Sequence, residues 1–180
     1  LAANPIKGRI TLSGYEGSEL LVARLLIESG ADVPYVGTAC AKNEWSAADR
    51  AWLEAKGTVV KYRASLEDDL AAMEAFKPDL AVGTTPVVQK AKERGVPSLY
   101  FTNLISARPL MGPAGAGSLA QVVNAAMGNK TRMEGMKAFF EHPDQLVHLR
   151  DDPGLIGTAV EEILRYDGPV HVTGRIPTED

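Results

Sequence analysis

The sequence predicts an α/β fold: a parallel five-stranded sheet with helices on both faces, continued by a short, mostly helical C-terminal appendage. Three observations carry this expectation. Between residues 9 and 140, short apolar runs alternate with longer stretches of helical periodicity. Glycine or proline punctuates the junctions, as at Gly14, Gly30, Gly57 and Pro78. From residue 142 onward the alternation stops. Parallel neighbours need crossover connections, so strand–helix alternation implies a sheet covered on both faces, of Rossmann-like or flavodoxin-like type. Its crossovers should be right-handed.

The elements follow in order. Arg9-Ile10-Thr11-Leu12 reads as a short buried strand ended by Gly14. A helix follows from about Ser18 to Ser29, apolar nearly all round and therefore well buried, with Gly30 just beyond its end. Val33 to Val36 is the second strand. Ser46 is placed to cap a helix that ends before Gly57. Thr58 to Tyr62 is the third strand. Ser65 caps a third helix whose apolar stripe is Leu66, Leu70, Met73 and Phe76, and Pro78 closes it. Asp79 to Gly83 is the fourth strand, and a helix runs from about Pro86 to Arg94. Pro97 to Phe101 is the fifth strand. A Pro/Gly-rich loop over 103–117 then leads into a last helix from about Ser118 to Phe140. Residues 1–140 are expected to be one domain. Residues 142–180 read as two short helices and an extended tail, loosely docked on it.

Composition narrows the function classes. The chain has 180 residues, 45% hydrophobic and 23% charged, with a net charge of -4 and a pI near 5.4. A chain of this length buries roughly 70% of its unfolded surface, enough for a real core. The acidic balance offers no basic stripe to neutralise phosphates, which argues against nucleic-acid binding. Cys40 is the only cysteine. One thiol closes no internal disulfide and cannot alone hold an iron–sulfur cluster, so a cytoplasmic setting is expected. No apolar run approaches the ~18 residues of a membrane span. No basic region followed by an apolar core marks a signal peptide. The start at Leu1 and the stop at Asp180 suggest truncation.

Loops after parallel strands are the default ligand edge of such sheets. The first, Ser13 to Ser18, places backbone amides at a helix start, but Gly14-x-x-Gly17 is not a dinucleotide fingerprint and simple turn chemistry accounts for it. Glu16 is a candidate proton donor, or merely a favourable charge at a helix start. The loop Gly112-Pro-Ala-Gly115-Ala-Gly117-Ser118 has phosphate-loop glycine spacing, yet Ser118-Leu119 replaces the required Lys-Ser/Thr. Gly112, Gly115 and Gly117 are better read as a close-approach loop at a substrate or subunit contact. Arg108, in the same loop, is a candidate carboxylate partner, or a surface arginine bonding loop carbonyls. His142, His148 and His171 lack metal-ligand spacing. Trp45 and Trp52, seven apart, are most simply packing residues. No nucleophile elbow is present.

Four stretches carry a specific resemblance: Gly14-Tyr-Glu-Gly-Ser-Glu-Leu-Leu-Val-Ala-Arg24, Tyr62 to Leu70, Gly83-Thr-Thr-Pro-Val-Val-Gln-Lys90, and Tyr100 to Ala126. Residues 9–140 resemble the C-terminal part of the Y subunit of chlorophyllide a reductase, a nitrogenase-like enzyme of bacteriochlorophyll synthesis in photosynthesis. The resemblance covers about three-quarters of this chain. It implies a catalytic component formed with a Z subunit. An ATP-dependent iron–sulfur protein would feed electrons to a [4Fe-4S] cluster between the two, for reduction of a ring B double bond of chlorophyllide a. The cluster cysteines of that family lie N-terminal to this region, and Cys40 does not match one. Ala41-Lys42-Asn43-Glu44 departs from the family's Pro/Arg-rich pattern.

A second resemblance covers residues 142–180. His142-Pro-Asp-Gln-Leu-Val-His-Leu-Arg150, Glu162-x-x-Arg165 and Tyr166-Asp-Gly-Pro-Val-His-Val-Thr-Gly-Arg175 are similar to a bacterial cytochrome P450 around its Glu-x-x-Arg helix. That resemblance implies a haem-propionate contact for Arg175. The cysteine-bearing haem loop is missing, so no haem is expected. Read from the residues alone, Glu162 and Arg165 are an i,i+3 ion pair. The join is expected between Lys137 and Pro143, by natural fusion, by assembly of two sequences into a chimera, or by deliberate joining. The leading expectation is an oxidoreductase-subunit fragment without turnover of its own. The alternatives are a small-anion or partner-binding module and a partial P450 monooxygenase sequence.

Overall fold

The computed structural model describes residues 5–106, 112–130, 143–155 and 157–158. The chain divides into two compact units, Leu1–Lys137 and Ala138–Asp180. The first holds a five-stranded sheet: β1 (Arg9–Gly14), β2 (Asp32–Thr38), β3 (Val59–Tyr62), β4 (Leu80–Gly83) and β5 (Ser98–Tyr100). Every pairing is parallel, and the strand order is β3-β2-β1-β4-β5. Of the two expected types, this is the Rossmann order, in which the sheet grows outward from β1 first to one side and then to the other.

The alternation of side chains across the sheet produces two cores. Leu12 lies opposite Val36 on one side and Val82 on the other. These residues join Ile10, Leu80 and the helices α1 (Glu19–Glu28), α2 (Ala47–Ala55), α5 (Phe101–Ser106) and α6 (Gly112–Met127) in the larger core. The intervening residue Ala81 faces the other way, toward Met73 of α3 (Leu66–Phe76) and Ala91 of α4 (Thr85–Glu93). Expansion of the sheet from β1 to β3 thus places its connecting helices on one face. The return through α3 and α4 places the rest on the other.

Local chemistry sets the helix limits. Ser65 accepts from the Asp68 N–H at 3.2 Å, while Asp68 accepts from the Ser65 N–H at 3.0 Å, which is a capping box. The bond from the Ser65 N–H, with the Lys61 ammonium adding to it, holds the Asp68 carboxyl below its ordinary range. Lys77, left-handed at φ 46°, ends α3 ahead of Pro78. Ser46 occupies the first position before α2, but its hydroxyl makes no cap. It bonds the Tyr62 hydroxyl at 2.7 Å and thereby ties α2 to β3.

Several expectations are corrected. The first helix is not buried all round: Leu21 is exposed. Leu66 of the α3 stripe is also exposed. Trp45 is not a packing residue, being 94% exposed. Trp52 is half-buried, with the Arg24 guanidinium 5.0 Å and the Lys56 ammonium 5.5 Å from its ring centroid. The expected loop over 103–117 contains α5, which follows β5 directly, and the first turns of α6. Gly112, Gly115 and Gly117 are therefore helical, because the burial of Leu119, Ala120 and Val123 outweighs the weak helix propensity of glycine.

In the second unit, α7 (Pro143–Asp151) leads into a single 3-10 turn, Pro153–Leu155. Asp152 caps that turn by accepting from the Gly154 N–H at 3.0 Å. Among the described residues, no helix is long and apolar enough to cross a membrane.

Candidate functional site

The reversal of strand order leaves a crevice at the carboxyl ends of β1, β4 and β5, where ligands bind in open α/β sheets. A cleft of about 490 Å3 opens there. Tyr15 contributes one wall from the loop after β1. Thr84 and Thr85 contribute a second from the start of α4, and Thr102 and Asn103 a third from α5. The Tyr15 and Thr102 hydroxyls share a hydrogen bond of 3.2 Å that closes the first wall on the third. Thr84 precedes α4 with extended backbone and makes no side-chain cap, so its hydroxyl is not spent on the helix. The wall is rich in neutral donors and acceptors, suited to orienting carbonyl and carboxylate groups.

Beside the cleft, Glu19 at the start of α1 is fully buried. Its oxygens accept from the backbone N–H groups of Glu16 at 2.7 Å and Gly17 at 2.9 Å and from the Thr38 hydroxyl at 3.0 Å. The acid of this loop is therefore Glu19. Glu16 offers its backbone, and its own side chain is exposed.

A second acid, half-buried, lies on the α3 side of the sheet. Asp69 accepts from the Tyr35 hydroxyl at 2.9 Å. Burial pushes its carboxyl up to about 6, the bonds from Tyr35 and Ser13 opposing this and the Asp68 charge adding to it. Burial, followed by the charge of Asp69, likewise holds the Tyr35 phenol above its ordinary value. The folded chain therefore keeps a proton on Asp69 that the unfolded chain has lost. The stability linked to this group is present below the ordinary aspartate range and is lost as pH rises through about 6. Asp69→Asn keeps an acceptor for Tyr35 without the charge. A shift of this size is worth at most about 3 kcal/mol. Partial exposure screens it to about 1 kcal/mol. The variant should thus be more stable by that amount at pH 7.5 and indistinguishable from the parent at pH 4 in urea denaturation. Equal destabilisation at both pH values would exclude a buried charge at this position.

Of the site residues read from the sequence, the structure brings none into the described wall of the cleft. Glu16 points to solvent, Gly115 is buried within α6, and Gly117 is half-buried there. Gly112 begins that helix. Arg108, Glu162, Arg165 and Arg175 lie outside the described residues. The residues missed are Thr84, Thr85, Thr102, Thr38 and Glu19. The signal for three of them was present, since each follows the end of a strand. Cys40 is half-buried, its Sγ 3.6 Å from the Tyr15 carbonyl oxygen. Among the described residues, no three His, Cys, Asp or Glu side chains converge on a metal-sized site.

Comparison with known proteins gives this geometry a context. The chlorophyllide reductase 52.5 kDa chain of Cereibacter sphaeroides is 83% identical over 140 residues, which are 78% of this chain and 28% of that relative. The chain thus spans little more than a quarter of the relative's length. The C-terminal part is similar to P450 enzymes: the biotin biosynthesis cytochrome P450 of Bacillus subtilis is 58% identical over 40 residues, 22% of this chain and 10% of the relative. Among solved structures, Nitrogenase Cp1 at pH 6.5 superposes with a TM-score of 0.60 at 20% identity, covering 73% of this chain and 31% of that one. At that identity the likeness is one of fold. A profile of nitrogenase component 1 type oxidoreductases matches residues 3–127, well over half of the sequence, and the chain belongs to that family.

Proposed function

We propose that residues 1–140 serve as a domain of the Y subunit of a nitrogenase-like chlorophyllide a reductase, and that the hydroxyl-rich cleft forms part of the wall facing the tetrapyrrole. The observation that carries this reading is the 83% identity over 140 residues to a chlorophyllide reductase chain. The proposed partners are the Z subunit and an ATP-dependent iron–sulfur electron donor, and the proposed reaction is reduction of the ring B double bond.

The donor set of this chain does not fit the [4Fe-4S] cluster of that enzyme. Such a cluster takes four protein ligands, here shared between two subunits; the resemblance places this subunit's share N-terminal to these residues, and the single thiol of Cys40 does not match one of them. No electron-transfer step is assigned to these residues. What they do is bind and orient. Tyr15, Thr84, Thr85 and Asn103 present hydrogen-bonding groups around one opening, and chlorophyllide carries ketone and carboxylate oxygens at its rim for them to meet. For residues 142–180 the reading is a P450-derived segment that holds no haem of its own.

A segment exchange tests the proposal. Residues 9–140 replace the matching part of the Cereibacter sphaeroides 52.5 kDa chain, and the product is assayed with the Z subunit and the electron donor. The exchanged subunit should reduce chlorophyllide, whereas this 180-residue chain under the same conditions should not. An exchanged subunit that assembles with Z yet is inactive would sink the assignment, as would turnover by the chain alone. Stabilisation of the chain by phosphate or a nucleotide, but not by chlorophyllide, would instead favour an anion-binding module.

A further inference from the structure

A buried carboxylate is costly unless it is paired or well hydrogen-bonded. Glu19 is 0% exposed, and no cation pairs with it among the described residues. Its donors come from two different loops. Glu16 and Gly17 turn consecutive backbone N–H groups toward its two oxygens, one each. Thr38, at the end of β2, donates its hydroxyl and in turn accepts the Cys40 N–H at 3.2 Å. Successive N–H groups turned toward one anion are the arrangement by which such loops hold phosphate. Here the anion belongs to the chain. Gly14 leaves the room for it: a Cβ there would stand 2.5 Å from Glu19 Oε1 and 2.9 Å from Cδ1 of Phe101.

The loop so held carries Tyr15. Its carbonyl faces Cys40 Sγ, and its hydroxyl reaches Thr102 across the cleft mouth. We infer that Glu19 is a positioning residue: an internal anion that fills the strand–helix loop, closes it to phosphate, and fixes Tyr15 in the cleft wall. The inference rests on the cleft being the binding face proposed above. Its test reads anion binding and Tyr15 directly, so it can fail while the segment exchange succeeds, or the reverse.

The test uses the 180-residue chain with Glu19→Ala, Glu19→Gln and the parent. Glu19→Ala should lower Tm by roughly 5–10 °C, from two or three lost charge-assisted bonds. Formate and acetate should raise the Tm of that variant saturably against chloride at equal ionic strength. They should leave the parent unchanged, because its hole is full. Glu19→Gln fills the same volume but sets an amide donor against donors, so it should lose stability and gain no formate response. The Tyr15 ring NMR signal, assigned with Tyr15→Phe, should shift in Glu19→Ala and return with formate, while Tyr62 stays. If Glu19→Ala does not fold in buffer, its refolding yield with formate reads the same rescue. The inference is overturned if formate rescues neither Tm nor refolding, if the Tyr15 signal does not move in folded Glu19→Ala, or if Glu19→Gln equals the parent in stability.

Discussion

Phe101→Ala should cost roughly 3–5 kcal/mol of folding free energy, a large share of the ~5–15 kcal/mol that keeps a domain folded. Phe101 is 1% exposed and heads the fully buried side chains by volume. It sits where β5 passes without a loop into α5, and it packs in the larger core with Leu12, Leu20 and Val82. Leu12 and Val82 are strand residues held in ladders on both sides, so the cavity cannot collapse onto them. The midpoint of urea denaturation should fall with little change in slope, since the unfolded chain is the same. The variant also loosens the segment that carries Thr102 and Asn103. In the exchanged subunit, its pigment reduction should therefore fall further than that of a core variant remote from the cleft. A loss below about 1 kcal/mol would show that the ring is not locked as its burial implies.

The sheet was legible in the sequence because its two signals agree. Short apolar runs such as Ile10–Leu12 and Leu80–Val82 are bounded by glycine, and each helix between them shows its own period. Strand ends were the weaker part. The expected β2 stopped at Val36, whereas pairing with β1 carries it to Thr38. Gly37 has low strand propensity and reads as the end of the run, whereas pairing with Ser13 and Gly14 of β1 carries the strand through it to Thr38. The segment after β5 misled for the opposite reason. Gly112-Pro113 reads as a breaker, yet proline is tolerated in the first turn of a helix, and a buried Gly115 permits close packing. Local propensity was overruled there by burial of Leu119 and Val123.

The site was less legible than the fold. Sequence reasoning favoured charged and glycine-rich positions, Glu16 and Gly112 to Gly117, because these carry named motifs. The cleft is instead built from threonines and a tyrosine at strand ends, residues too common to form a spacing pattern. Topology alone brings Tyr15 and Thr102, 87 residues apart, to 3.2 Å. Glu19 was passed over because it lies within an apolar helix, where a carboxylate is expected to face solvent. Its three donors come from Glu16, Gly17 and Thr38, and no local pattern announces that convergence. Family membership, by contrast, was readable from stretches such as Gly14 to Arg24 and is carried by the match over residues 3–127.

Gly83→Ala should destabilise the domain by roughly 2–3 kcal/mol and displace one wall of the cleft. Gly83 ends β4 and pairs with Tyr100 of β5, so its backbone is fixed. A Cβ there would stand 2.7 Å from Ser13 Oγ and Val87 Cγ1, and 2.9 Å from Val87 Cβ. Rotation of Ser13 relieves the first contact, and a new Val87 rotamer relieves the second. No rotamer moves Val87 Cβ, which is attached to the α4 backbone, so α4 itself must shift. Thr84 and Thr85 stand at the start of that helix and line the cleft. The exchanged subunit carrying Gly83→Ala should therefore lose affinity for chlorophyllide beyond what its stability explains, seen as a rise in KM at temperatures where it is fully folded. Val87→Ala deletes Cγ1 and keeps Cβ, so Gly83→Ala should cost less in that background without becoming free. The double-mutant cycle should show a coupling of about 1 kcal/mol. Strict additivity of the two substitutions would mean that the strain is taken up elsewhere and that the wall of the cleft does not move.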